Sequence, residues 1–321
     1  MELRKLQRTP DGTYLVTIPK AWAKRVGLGP GAVVSYEERQ DGRLLLSPKI
    51  DEERPPQEVT LDASPLLRRK IIEQYLLGYD IIRVQSKEPI PAELREEARK
   101  ASKRLVGLEV LEEDSRKIVL QCLVEPSLLV PERILRRLEM LSMPMEIDAT
   151  QAFLTSNTEL AKSVIERDEE VDRWYFLLVR LVRAAIADTY LLEKIKVSAV
   201  DCLDFRLLAS YIETFADYAV TVAENTTSSP VPRDQQVILE KVGAAVNSMY
   251  RDAVGAVLSR DMKLVSSAAS NFQDSKALLS QGEAGISKVP RPLVDHLVAV
   301  LIALNRMCEI SVDISDLTIT R

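Results

Sequence analysis

Apolar residues recur at Leu208, Tyr211, Ile212, Phe215, Ala219 and Val222, the three-to-four spacing of an amphipathic helix. At about 100° per residue, Glu213, Asp217 and Glu224 share the opposite face, so two carboxylates stand one turn apart beneath water. One such pair is ordinarily a solvated helix face. Here the pattern returns: Leu301, Leu304, Met307, Ile310 and Ile314 form a second apolar stripe, with Glu309, Asp313 and Asp316 opposite. Two carboxylate helices about a hundred positions apart indicate an internal duplication. The segments ahead of them pair as well, Asn157-Thr-Glu-Leu-Ala with Asp261-Met-Lys-Leu-Val. The periodicity predicts helices over 132–154 (perturbed at Met143-Pro144), 157–193 and 203–225, then over 235–258, 261–279 and 291–317. Residues 226–232 break the chain between the two sets, and 281–285 read as a loop. Two three-helix bundles result, over 127–228 and 232–321.

The first 126 residues change period from helical to strand-like. Alternation over Leu3–Thr9 and Thr13–Ile18 flanks the turn Pro10-Asp11-Gly12, and a short helix over 20–26 follows Pro19 and stops at Gly27. Strands over 32–39 and 43–48 then flank Asp41-Gly42, giving a ββαββ module over 1–50. Residues 51–56 are charged and proline-paired, as in a linker. From 57 to 126 the order is βαβαββ: strands at 58–63, 80–85, 108–112 and 117–124, and helices at 66–77 and 91–106. Ser64 reads as the N-cap of the first of these helices, with Pro65 as its first residue. Gly78 and Gly107 sit singly at helix ends, so no glycine-rich nucleotide cradle is present. The fold class expected is multidomain α+β.

Composition narrows the chemistry. The chain has 321 residues with 46% hydrophobic and 28% charged, too long for one core and ordinary for a soluble protein. No apolar run is long enough to cross a bilayer and the N-terminus lacks a signal-peptide core, so a cytoplasmic location without membrane insertion is expected. Cys122, Cys202 and Cys308 are scattered and His296 is the only histidine, which argues against zinc fingers, CxxC redox chemistry and histidine catalysis. The cysteines read as small buried hydrophobes, His296 as a surface or capping residue, and Trp22 and Trp174 as packing. Residues 1–50 carry nine Lys/Arg against five Asp/Glu, a net +4, so the other 271 residues are net −9. A small basic module is joined to an acidic body.

The strings VIERDEEVDRWY (164–175) and FRLLASYIETFADYAVTVAE (205–224) resemble two helices of the PhoU family, and the likeness runs from about Glu132 to the C-terminus. That resemblance implies a phosphate-regulatory, non-enzymatic role. It also implies metal held by paired carboxylates on adjacent helices, here Asp168, Asp172, Glu213 and Asp217. A carboxylate-only set suits Mg²⁺, Mn²⁺ or Fe, and the family extends this to zinc-like ions. In the second bundle Phe272 and Lys276 replace the aspartates, leaving Glu309 and Asp313 as a weaker pair, and Tyr218 stands where the family has histidine. No paired Arg/Lys clamp of the kind that would grip a phosphate is expected at the carboxylates, which disfavours a metal-dependent phosphohydrolase.

Residues 4–46, nearly the whole module, resemble the SpoVT/AbrB family of swapped-hairpin DNA-binding domains, most tellingly in GTYLVTIPK, the helix after it and GLGPG. That implies an interleaved homodimer on double-stranded DNA, with Arg4, Lys5, Arg8, Lys20, Lys24 and Arg25 as contacts. Lys and Arg on a compact surface neutralise phosphates, and Arg8 beside the turn can reach a base edge. The same cations could instead serve solubility or docking on the acidic body. Small size supports dimerisation independently, since fifty residues without a disulfide bury little core alone. Together the likenesses point to archaeal-type transcriptional regulators of phosphate uptake. The alternative is an adaptor, without DNA binding, that restrains a phosphate transporter or its sensor kinase.

Overall fold

The computed structural model describes residues 3–38, 42–48 and 56–318, in two compact units that divide after Pro55. In the first unit β1 (Gln7–Arg8) and β2 (Tyr14–Leu15) form an antiparallel hairpin. Asp11 closes its turn by accepting from the Thr9 and Thr13 hydroxyls, and Gly12 takes φ 95°, a conformation that favours glycine. Helix α1 (Lys20–Arg25) follows, then β3 (Ser35–Glu38) and β4 (Leu44–Ser47), also antiparallel. The strands are shorter than their sequence pattern, with two paired residues per strand in the first hairpin. None of the described residues of this unit is buried, and Trp22 is only half-buried. Among the described residues of one copy, the two hairpins form separate two-stranded sheets with no buried interior between their faces and the helix.

The second unit begins with a sheet of order β5-β6-β8-β7, built from β5 (Glu58–Asp62), β6 (Ile81–Gln85), β7 (Leu108–Glu113) and β8 (Lys117–Cys122). β5 and β6 are parallel and the other pairings antiparallel, as the βαβαββ order requires. Helices α2 (Leu67–Leu76) and α3 (Ala92–Arg104) bury Leu67, Ile71, Tyr75, Ala98 and Ala101 against Ile82, Val84, Ile118 and Leu120. Ser64 does not cap α2. Its hydroxyl accepts from Lys70 Nζ at 2.7 Å, and Leu66 holds the cap position with φ 66°.

Helices α4 (Pro131–Thr155), α5 (Thr158–Ala187) and α7 (Ala199–Glu224) form one bundle; α8 (Arg233–Ser259), α9 (Met262–Gly285) and α10 (Arg291–Asp316) form the other. Both belong to one continuous core, joined where the Phe215 and Tyr250 rings stack with centroids 3.8 Å apart. Pro144 does not break α4. Met140, four positions back, is exposed, so the carbonyl freed by the missing N–H lies on the solvent side.

Two boundaries differ from the periodicity. The helix expected to run to 193 ends at Ala187, because Asp188 turns extended and accepts from Tyr190 N at 3.0 Å, capping the separate α6 (Thr189–Lys194). The stretch 281–285 is the last turn of α9 and not a loop. Its glycines permit close approach: a Cβ at Gly282 would lie 3.0 Å from Leu301 Cδ2, and one at Gly285 would overlap the buried Gln235 amide. Cys122, Cys202 and Cys308 are buried free thiols. His296 meets Asn225, the C-cap of α7, through Nδ1 and Oδ1 at 3.0 Å.

Candidate functional site

The i, i+4 spacing on α5 and α7 brings four carboxylates to one seam. Asp168 and Asp172 project from α5 toward Glu213 and Asp217 of α7. The face of α7 read as fully solvated is therefore partly an interhelical face, with Glu213 half-buried and Asp217 exposed. Burial is the largest cause raising Asp168, to about 6, followed by Asp172 and Asp217. Burial and then Asp217, Asp172 and Asp168 raise Glu213 to about 7. Asp217, although exposed as a residue, is raised first by the water that its packed neighbours displace and then by Asp172. Like charges at this seam resist simultaneous ionisation.

The counter-charge comes from another domain. Arg104, the last residue of α3, donates from Nη2 to Asp172 Oδ2, with its guanidinium 5.7 Å from the Phe176 ring centroid. Arg206 lies over Tyr175 at 5.0 Å and lowers Glu213 against the repulsion. Arg104 and Arg206 thus form a cationic clamp that the local sequence did not single out, where Arg167 and Arg173 stand next to Asp168 and Asp172. Arg104 precedes Asp172 by 68 positions, and α3 delivers it. Asp168 Oδ1 and Arg104 Nε are buried without a hydrogen-bond partner.

The oxygen-only donor set and the unpartnered Asp168 oxygen fit a hard divalent cation. As the side chains stand, no three His, Cys, Asp or Glu among the described residues converge to hold an ion. In the second bundle Glu309 is satisfied within its own helix, accepting from Asn305 at 3.0 Å and Arg306 at 2.6 Å. Asp313 is raised by burial and then by Asp316 and Glu309. Lys276 Nζ stands 4.6 Å from the Phe272 ring centroid, so the positions without aspartate are filled by a cation and an aromatic.

In the N-terminal unit Arg4, Lys5, Arg8, Lys20, Lys24 and Arg25 are all exposed. Arg8 lies over the hairpin turn, its Nη2 being 3.7 Å from where a Gly12 Cβ would stand. Lys24 and Arg25 occupy the last turn of α1.

Two interior features escaped the periodicity. Arg180 of α5, 3% exposed, donates to the carbonyls of Tyr75 (2.8 Å) and Tyr79 (2.7 Å) and to Asp80 Oδ1 (2.7 Å). Its guanidinium also packs on the Tyr75 ring, fixing the middle domain to the first bundle. Glu146 of α4 is fully buried between the bundles, accepting from Thr150 Oγ1 at 2.9 Å and from Asn247 Nδ2. Burial raises it to about 7 against those hydrogen bonds.

These features define a basic β module joined to a helical body with an acidic seam. Residues 135–226 match the PhoU domain family, and residues 7–54 match the family described as antidote-toxin recognition MazE, bacterial antitoxin. The chain thus matches one family over its basic module and another over its first helical bundle, and the PhoU match ends with that bundle. Among solved structures, it is similar to PhoU from Pseudomonas aeruginosa at 20% identity and TM-score 0.46, covering 59% of this chain and 93% of that one. It is also similar to the phosphate transport system regulatory protein PhoU from Streptococcus pneumoniae at 17% identity and TM-score 0.49, covering 59% and 91%. No curated protein matches the chain. No helix among the described residues is long and apolar enough to cross a membrane.

Proposed function

We propose that this protein is a DNA-binding regulator of phosphate homeostasis, dimeric through its N-terminal module, whose helical bundles sense phosphate status. The observation that carries the reading is the union, in one chain, of a PhoU domain with a small basic module that buries none of its described residues. Leu15, Val16, Val33 and Tyr36 are each at least half exposed there, and a second copy would supply the missing interior. Arg4, Lys5, Lys20, Lys24 and Arg25 would contact phosphates, and Arg8, over the turn, a base edge.

In the body, Asp168, Asp172, Glu213 and Asp217 would hold a hard cation of the Mg²⁺, Mn²⁺ or Fe type, or zinc. Such an ion would add to the positive charge that Arg104 and Arg206 bring to the four acids, and the unpartnered Asp168 oxygen supports the assignment.

The test is fluorescence anisotropy of the full chain on duplex DNA from its own upstream region and from phosphate-transporter promoters, across a salt series. Affinity should fall about a thousandfold or more between 50 and 200 mM salt if six or more phosphates are contacted, and an Arg8→Ala/Lys20→Ala variant should lose it. Weak, salt-insensitive binding unchanged by those substitutions overturns the reading and leaves the adaptor acting on a transporter or sensor kinase.

A further inference from the structure

Where α2 meets the C-terminal half of α5, a groove of about 390 Å³ is lined by Arg69, Ile72, Glu73, Leu76, Leu77 and Arg183. Its apolar residues come from α2 and the residue after it, and its two cations from both helices. Neither Arg69 nor Arg183 makes an ion pair or side-chain hydrogen bond with any described residue, and both are exposed. Most other arginines of the middle domain are engaged, Arg68 with Glu97, Arg83 with Glu58, and Arg95 and Arg99 with Glu113, Arg116 being the exception. Apolar surface extends the groove. Leu66, one turn ahead of Arg69, is 69% exposed and sits in the left-handed region at φ 66°, a conformation leucine rarely adopts. Leu77 and, one turn beyond Arg183, Ile186 are also exposed.

We propose that this groove docks an acidic amphipathic helix of a partner protein. Charge complementarity selects the occupant. Two uncompensated guanidiniums flank an apolar floor on a body that is net −9 over residues 51–321, with Glu73 the one acid in the lining. A cleft between two helices accepts a third laid into it, its apolar residues at i, i+3, i+4 and i+7. The ten residues of α2 span about 15 Å, the length of a three-turn partner helix. Nucleic acid is disfavoured by the apolar floor. An anionic membrane is disfavoured by having two cations where surface-binding clusters carry about four to eight. This docking is independent of the DNA-binding reading, since every residue involved lies in the second unit.

The test uses the full-length protein and two fluorescein-labelled peptides of about fourteen residues, with leucines at i, i+3, i+4 and i+7. One carries glutamates at the remaining positions and the other lysines. The glutamate peptide should bind, the lysine peptide about tenfold or more weakly, and Arg69→Glu and Arg183→Glu should each weaken the glutamate peptide about tenfold. Both arginines are exposed, so circular dichroism and the melting midpoint of the variants should match the parent. Indifference to peptide charge or to both reversals overturns the proposal. So does sedimentation showing self-association that both reversals abolish, which assigns the groove to a second copy. Binding to phosphatidylglycerol vesicles lost in both variants, with no peptide binding, assigns it to a lipid surface.

Discussion

Arg104, at the end of α3, donates to the Asp172 carboxylate of α5 and so brings the middle domain's positive charge to the seam of four acids. Among the described residues it is the only direct ion pair that any of those four carboxylates makes.

Removing one partner leaves the other uncompensated. Arg104→Ala should lower stability by about 1–2 kcal/mol at pH 7, because Asp172 then faces Asp168 and Asp217 without its counter-ion. Asp172→Asn in the Arg104→Ala background should recover most of the loss. Urea denaturation of the four proteins closes the cycle, and strictly additive effects would show that the pair is not coupled.

The seam also sets a pH dependence with a defined sign. Asp168 and Glu213 are raised from 3.8 and 4.5 to about 6 and about 7, so the folded chain holds their protons more tightly than the unfolded chain. Their contribution is fully present below the unfolded values and is lost as pH rises through about 6 and 7. Melting midpoints should therefore fall from pH 5 to pH 8. Millimolar Mn²⁺ should raise the midpoint at pH 8, EDTA should reverse the gain, and Asp168→Asn/Glu213→Gln should flatten both responses. A parent protein indifferent to Mn²⁺ and to its removal would exclude the cation from this seam.

Glu146 makes a second, separable contribution. Its carboxyl is raised from 4.5 to about 7 in a fully buried position, so it too favours the fold at low pH and opposes it as pH passes 7. Glu146→Gln keeps an acceptor for Thr150 and cannot ionise. The variant should gain on the parent above neutrality by up to about 3 kcal/mol, the ceiling for a shift of this size. Below pH 5 the difference should shrink or reverse. Chemical denaturation at pH 5 and pH 8 reads both arms.

Periodicity was enough to find the long helices, since stripes such as Leu208, Ile212, Phe215, Ala219 and Val222 are all buried in the bundle core. It also set Asp168 with Asp172 and Glu213 with Asp217 as pairs, because residues four apart share a helix face, whereas joining the two pairs across helices was what the PhoU resemblance implied. Residues whose meaning depends on a distant neighbour were not legible. Gly282 and Gly285 look like loop punctuation until Leu301 and Gln235 are seen against them. Asp188 looks like one polar residue within a helix until its side chain caps the next. Arg104, Arg180 and Asn247 meet their partners 68, 100 and 101 positions away, beyond any local pattern. The N-terminal strands were legible as a pattern, but in one copy few of their residues pair.

The middle domain and α5 grip each other in opposite directions. Arg104 reaches from the domain to Asp172, and Arg180 reaches from the helix to the Tyr75 and Tyr79 carbonyls and Asp80. Eight positions separate Asp172 from Arg180 on α5, about 12 Å along its axis. A single ionic contact would act as a pivot. Two pins at that spacing resist swivelling as well as sliding, so the sheet must turn with the helix, and tilting α5 carries the middle domain with it as one lever arm.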